Sequence, residues 1–241
     1  MKRAVAVVLL WGSLSGCATT GTLSGDDPLE PVNRAMFAVN EPIEKFVMRP
    51  VVTVYTTVTP NIIQTIIGNI FDNIGDLFSG LAGVLQGKFD EAGHDFGRVI
   101  INTSFGLGGM IDFASDAGIP RGQQDLGMVL AHYGVGPRPY LFVPLLGPMT
   151  ARDGVGRAAG SFLSPTQWLN VPTRNVTWGL ATIDSMAAGV KMLDTLDTAA
   201  LDRYAFIRNA YLQRRAYQTG QAPYKTSDDE DLSDLFDEEE K

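Results

Sequence analysis

Residues 61–86 read NIIQTIIGNIFDNIGDLFSGLAGVLQ, and their pattern decides the fold class. Apolar residues recur at 62/63, 66/67, 70/71, 74, 77/78, 81 and 84/85, the spacing of one face of an α-helix. At a rise of 1.5 Å per residue, the stretch predicts a rod of about 39 Å. Gln64, Thr65, Asn69, Asp72, Asn73, Asp76 and Ser79 share the opposite face. Glycines 68, 75, 80 and 83 weaken such a helix unless a neighbouring backbone packs closely on them. The polar face carries amides, hydroxyls and carboxylates but no Lys or Arg, whereas a solvated face usually mixes both signs. Two readings stand: a plain surface face, or the wall of a wet passage. For the second, the candidate lining residues are Gln64, Asn69, Asp72, Asn73 and Asp76.

Working outward, helical spacing recurs at residues 88–103, 176–193 and 199–220, the last with Gly220 as its stop. Near the start, Asp27 can cap a helix that opens at Pro28, with Glu30 in its first turn. That helix is expected to stop before Pro42, and a second short one to cover 42–48. Residues 51–59 (VVTVYTTVT) are β-branched, and propensity alone makes them a strand. Residues 120–156 differ in kind, with Gly and Pro punctuating apolar and aromatic residues. Residues 130–133 and 140–143 flank Gly134-Val135-Gly136-Pro137, which predicts a hairpin or a structured loop there. No strand-rich pattern appears elsewhere. The expected class is mostly α with one small Gly/Pro-rich hairpin or loop, in a single domain over 27–220.

The single cysteine, Cys17, can be a buried hydrophobe, a reactive thiol or an attachment point. Its flanks favour attachment. Lys2 and Arg3 precede an apolar run over 4–14 that is too short to span a bilayer. Leu14-Ser15-Gly16-Cys17 then resembles a bacterial lipobox; an ordinary signal peptide with a chance cysteine is the alternative. The expectation is a lipoprotein signal peptide over 1–16, a lipid anchor on Cys17 and a flexible linker over 17–26. Each buried methylene of an acyl chain contributes about 0.8 kcal/mol, so several chains on one residue hold firmly. Ala18, rather than Asp, follows the cysteine, which in lipoproteins of this kind implies the outer membrane.

Charge is unevenly spread. The net charge is −8, and residues 228–241, with nine acids and one Lys, account for all of it. The stretch 221–241 is therefore expected to be an acidic disordered tail, either a solubilising end or a docking arm for a basic partner. No basic patch points to nucleic acid. Residues 17–227 carry 16 basic and 18 acidic residues in 211 positions, sparse beside the roughly 25% of ordinary soluble domains. The runs 50–71, 99–111, 139–151 and 158–173 have no charge at all, yet none is a clean membrane span. Such a chain suits partial contact with lipid without simple crossing helices; on composition alone, a soluble domain with an ordinary core is equally open.

Catalytic signatures are missing. The glycine cluster at 105–109 has neither dinucleotide nor P-loop spacing, and no G-x-S-x-G elbow occurs. Two distant histidines, His94 and His132, make no metal site, and His132 reads as a hydrogen-bonded structural residue. Asp112, Ser115 and Asp116 fit a cap or turn. Asp72 and Asp76 lie one helical turn apart, but nothing singles them out for acid–base work. No enzyme activity, cofactor or metal is expected.

Four segments together carry a resemblance: DPLEPVNRAMFAVN (27–40), RVIINTSFGLGGMIDFA (98–114), LAHYGVGPRPYLFVPLLGPMTARD (130–153) and RNAYLQRR (208–215). In this order they resemble the MlaA (VacJ) family of outer-membrane lipoproteins. The resemblance implies a mostly helical, ring-like arrangement of amphipathic helices lying in one membrane leaflet, with residues 51–59 helical. It implies a phospholipid transport channel that removes phospholipid from the outer leaflet and maintains lipid asymmetry. The implied partners are phospholipid, the outer membrane, a porin trimer and a soluble periplasmic lipid carrier. It matches Asp27, Pro28, Glu30, Asn33 and Arg34 to an N-terminal signature. It matches His132, Tyr133, Gly134, Val135, Gly136 and Tyr140 to a hairpin or loop near the channel. An envelope scaffold lipoprotein that stabilises outer-membrane proteins without moving lipid is the alternative.

Overall fold

The computed structural model describes residues 27–196 and 202–221; the expected signal peptide, Cys17, the linker and the acidic tail beyond 221 lie outside the described residues. The order is α1 (Glu30–Ile43), a π-helical turn (Glu44–Met48), α2 (Arg49–Val58), α3 (Asn61–Leu85), α4 (Phe89–Ser104), α5 (Phe113–Asp116) and α6 (Leu126–His132). Then come β1 (Tyr140–Val143), β2 (Gly147–Thr150), α7 (Ala151–Leu163), a 3-10 turn (Pro165–Trp168), α8 (Val171–Leu196) and α9 (Arg203–Thr219). The protein is mostly helical with one two-stranded antiparallel hairpin.

Three local expectations are corrected. The first helix does not stop before Pro42 but runs through it to Ile43. A proline there loses a donor and crowds the carbonyl four residues back. The wider π turn that follows absorbs the irregularity, and Arg49 and Arg203 clamp its buried Glu44 at 2.9 and 2.8 Å. The strand propensity of 51–59 is overridden, as the family resemblance implied. Thr53 and Thr56 return their hydroxyls to the carbonyls of Arg49 and Val52, at 2.8 and 2.9 Å, which settles β-branched residues in a helix. The hairpin does not turn at Gly134–Pro137. Leu130 to His132 end α6, and Tyr140 pairs instead with Thr150, so the turn is Pro144-Leu145-Leu146. The Gly134–Pro137 stretch joins a helix to a strand. The observed turn holds Leu145 at φ 68° and Gly147 at φ 78°, a conformation that glycine takes freely and leucine does not.

α3 packs along α4, and two of its four glycines make that possible. A side-chain carbon at Gly80 would lie 2.8 Å from the Phe96 ring, and one at Gly83 would lie 3.2 Å from Ala92 Cβ. Gly75 has open space. α9 ends at Thr219, with Gly220 in the left-handed conformation as its stop, as its sequence predicts.

The apolar core is small. Tyr140 and Phe142 of β1 pack with Tyr204 and Leu212 of α9 and Phe37 of α1. Phe37 meets Phe142 and Tyr204 edge-on, at 5.1 and 5.8 Å. α6 and α7 cross backbone to backbone, because a Cβ at Gly156 would collide with the Gly127 amide. Gly156→Ala is expected to lower stability by about 1–3 kcal/mol through overpacking. Thermal unfolding of the detergent-solubilised chain checks this; an unchanged midpoint would mean that the crossing is loose.

Candidate functional site

Charge in this fold turns inward. The largest fully buried side chains are Arg98, Asn33, Thr150, Asp76 and Asp95, none of them a hydrocarbon. Buried charges are costly unless paired and hydrogen-bonded, and Arg98 and Asp76 sit in a network, while Asp95 accepts from the Gly122 amide at 2.7 Å and keeps its second oxygen without a hydrogen bond. Arg98 of α4 reaches Asp76 of α3 at 2.9 Å and both carboxylate oxygens of Asp112 at 2.9 Å. It also donates to Ser115 Oγ at 3.1 Å and to the Ile119 carbonyl at 2.9 Å. Arg121, in the loop before α6, adds Asp72 at 2.5 Å, Asp76 at 3.1 Å and Asp112 at 3.2 Å. Asp112 also caps α5 through Ser115 N and accepts from Asn102. Burial by itself would raise its carboxyl, but the bonds from Ser115, Asn102 and Arg98 outweigh that and hold it well below the usual range. For Asp76 the balance goes the other way: burial raises its carboxyl despite both arginines.

A second network ties α9 to α6 and α7. Asp153 accepts from Arg215 at 2.6 and 3.0 Å and from the Tyr211 hydroxyl at 2.6 Å. Arg215 continues to Asp125 at 2.7 Å. Burial would raise the Asp153 carboxyl, but Arg215 and Tyr211 outweigh it and lower it to about 2. The N-terminal signature forms a third. The Asn33 amide is buried and behaves like a strand edge: it donates to the Tyr140 carbonyl at 3.1 Å and accepts from Phe142 N at 2.9 Å. It also donates to Asp27, whose carboxylate accepts from Leu29 N just after Pro28. Glu30 holds Arg34 and Arg208, and Arg34 reaches Asp202. These residues pin α1 to the hairpin and to α9.

The surface is the reverse of the interior. Phe162, Phe105 and Trp178 are 80%, 72% and 70% exposed, and Phe46, Phe89, Ile62, Val58 and Leu107 also face outward. Among the described residues no helix is long and apolar enough to cross a membrane, and no group of three or more His, Cys, Asp or Glu could hold a metal ion.

The wet-wall expectation is corrected for two of its residues. Asp76 and Asn73 are 2% and 8% exposed, because their charges and amides are needed between helices. Asp76 is taken by Arg98 and Arg121, and Asn73 donates to Thr103 at 3.1 Å. Gln64 closes the end of α2 through the Thr59 carbonyl at 2.7 Å, and Asn69 holds the Met110 carbonyl at 2.9 Å. Asp72 stays exposed beside Arg121. His132 and Tyr133 are exposed at the end of α6, edge-on at 5.2 Å, and Tyr133 donates to the Leu85 carbonyl at 2.8 Å. Gly134, Val135 and Gly136 continue the exposed loop, while Tyr140 is buried in the aromatic core. The structure therefore does not gather these six residues in one place. Sequence reasoning missed Arg98, Arg121, Asp153 and Arg215. One signal was available: Arg98 and Asp112 bracket the charge-free run 99–111, and they pair with each other.

A family model described as MlaA lipoprotein matches residues 25–218. The chain belongs to the MlaA lipoprotein family. The Intermembrane phospholipid transport system lipoprotein MlaA of Escherichia coli (strain K12) is 33% identical over 89% of this chain and 88% of its own length. An uncharacterized protein of Rickettsia felis is 35% identical over 55% of this chain. The chain spans about half the length of that and other Rickettsia relatives, 53% for R. felis. A solved structure described as "Structural basis for maintenance of bacterial outer membrane lipid asymmetry" aligns with a TM-score of 0.70 at 30% identity, over 80% of this chain and 99% of that one. The matched span contains the residues of all three networks, from Asp27 to Arg215.

Proposed function

We propose that this chain is an outer-membrane lipoprotein that moves phospholipid without chemistry on it. It removes phospholipid from the outer leaflet and so maintains lipid asymmetry. The observation that carries the reading is the apolar surface: Phe46, Phe105, Phe162 and Trp178 face out while Arg98, Asp76 and Asp95 are buried. In water such exposure is costly, at about 25 cal/mol per Å²; against acyl chains it costs nothing. In this proposal the helices lie as a ring within one leaflet and a lipid on Cys17 supplies the tether; no described helix is long and apolar enough to cross a bilayer. The names of the Escherichia coli relative and of the solved structure support the same reading. A porin trimer in the membrane and a soluble periplasmic carrier complete the route in this proposal. Exposed Asp72 of α3's polar face, with its partner Arg121 from the loop before α6, meets a passing headgroup in this proposal.

Deleting the gene is expected to raise the phospholipid reachable by an impermeant amine-reactive probe on intact cells, and restoring the gene to reverse it. Unchanged labelling would remove the transport reading.

A further inference from the structure

A cleft of about 490 Å³ opens on the surface between α4, the loop before α6 and α9. Lys88, Glu91 and His94 at the start of α4 form one wall, Arg121 and Gln124 of the following loop another, and Tyr217 near the end of α9 a third. Lys88 and Glu91 lie three residues apart, a spacing at which opposite charges usually pair directly. Here Gln124 stands between them. Lys88 Nζ donates to Gln124 Oε1 at 3.3 Å, and Gln124 Nε2 donates to Glu91 Oε2 at 2.6 Å. A cation and an anion are thus held apart by one amide on the same wall. Arg121 belongs both to this cleft and to the ion pair with Asp72, so the polar face of α3 continues into it.

We propose that this cleft binds the zwitterionic headgroup of a glycerophospholipid, with its phosphate against Lys88 and its primary ammonium against Glu91. The inference rests on the phospholipid-transport reading and adds a headgroup preference to it. An ethanolamine headgroup carries its phosphate and its ammonium two carbons apart, and this wall presents one cation and one anion, Lys88 and Glu91, on either side of the Gln124 amide. His94 follows Glu91 by one helical step on the same wall, and the Tyr217 ring, 88% exposed, also lines the cleft.

The chain has two histidines, which makes the test direct. His94 lines the cleft and His132 does not. Full-length protein with 13C-labelled histidine rings, in detergent, is titrated with dihexanoyl phosphatidylethanolamine, dihexanoyl phosphatidylglycerol and inorganic phosphate. The ethanolamine lipid is expected to shift the His94 signal saturably and to leave His132 in place. Lys88→Gln should weaken both lipids by about tenfold, the scale of one charge-assisted hydrogen bond. Glu91→Gln should abolish the preference for ethanolamine. A still His94 signal, equal shifts at both histidines, or phosphate or the glycerol lipid binding as tightly as the ethanolamine lipid would overturn the proposal. The transport reading would survive that failure, because raised labelling on deletion shows that amine-bearing phospholipid is moved whether or not this cleft prefers it.

Discussion

Arg98→Met is expected to destabilise the protein by about 3–5 kcal/mol. The side chain is wholly buried and binds Asp76, Asp112, Ser115 and the Ile119 carbonyl at once. Removing it leaves two carboxylates without their main partner, one of them buried. The methionine restores volume but no charge. For a chain of this size the loss corresponds to a fall in melting temperature of roughly 6–20 °C. Arg98→Lys keeps the charge but not the planar fork that reaches several acceptors, so it should fall between the two. Circular dichroism melts in detergent report all three proteins. A loss under about 1 kcal/mol would mean that Arg121 alone can hold α3, α4 and α5 together.

Loss of Asp153 should be comparably severe, for a different reason. Arg215, Tyr211 and, through Arg215, Asp125 all converge on it. Asp153→Ala leaves Arg215 half-served in a buried site and unpins α9 from α7, at a cost of about 3 kcal/mol or more. The acid response follows from the sign of its shift. The folded carboxyl is lowered to about 2, below its ordinary value of 3.8. Its contribution is therefore complete above about pH 4 and fades as pH falls toward 2. The natural chain should lose stability across that window, and Asp153→Ala should lose less of it. Melts in a pH series measure both; parallel curves for the two proteins would place the acid response elsewhere.

The two networks also explain why sequence reasoning placed some features and misjudged others. Periodicity found α3 because its apolar stripe is continuous over the whole length. It misread the purpose of the opposite face: Asn73 and Asp76 look like a wet wall until the arginines that meet them are known, and those arrive from residues 98 and 121. The glycine-rich stretch 134–137 allows a hairpin or a structured loop and forms the loop, while the hairpin turns at Leu145, whose amide donates to Asn40 of α1, and Asn33 binds its first strand. Strand propensity at 51–58 lost to a helical context in which Thr53 and Thr56 satisfy their hydroxyls locally.

By itself the sequence determined the helical class, the long amphipathic rod, the scarcity of charge and the motifs that mark the family, since each is written in spacing or residue type along the chain. Only the tertiary structure decided which polar residues are buried and which hydrophobic ones are left outside. A carboxylate's environment is set by partners 22 to 62 residues away, as with Arg98–Asp76 and Arg215–Asp153, and no local pattern encodes a partner at that distance.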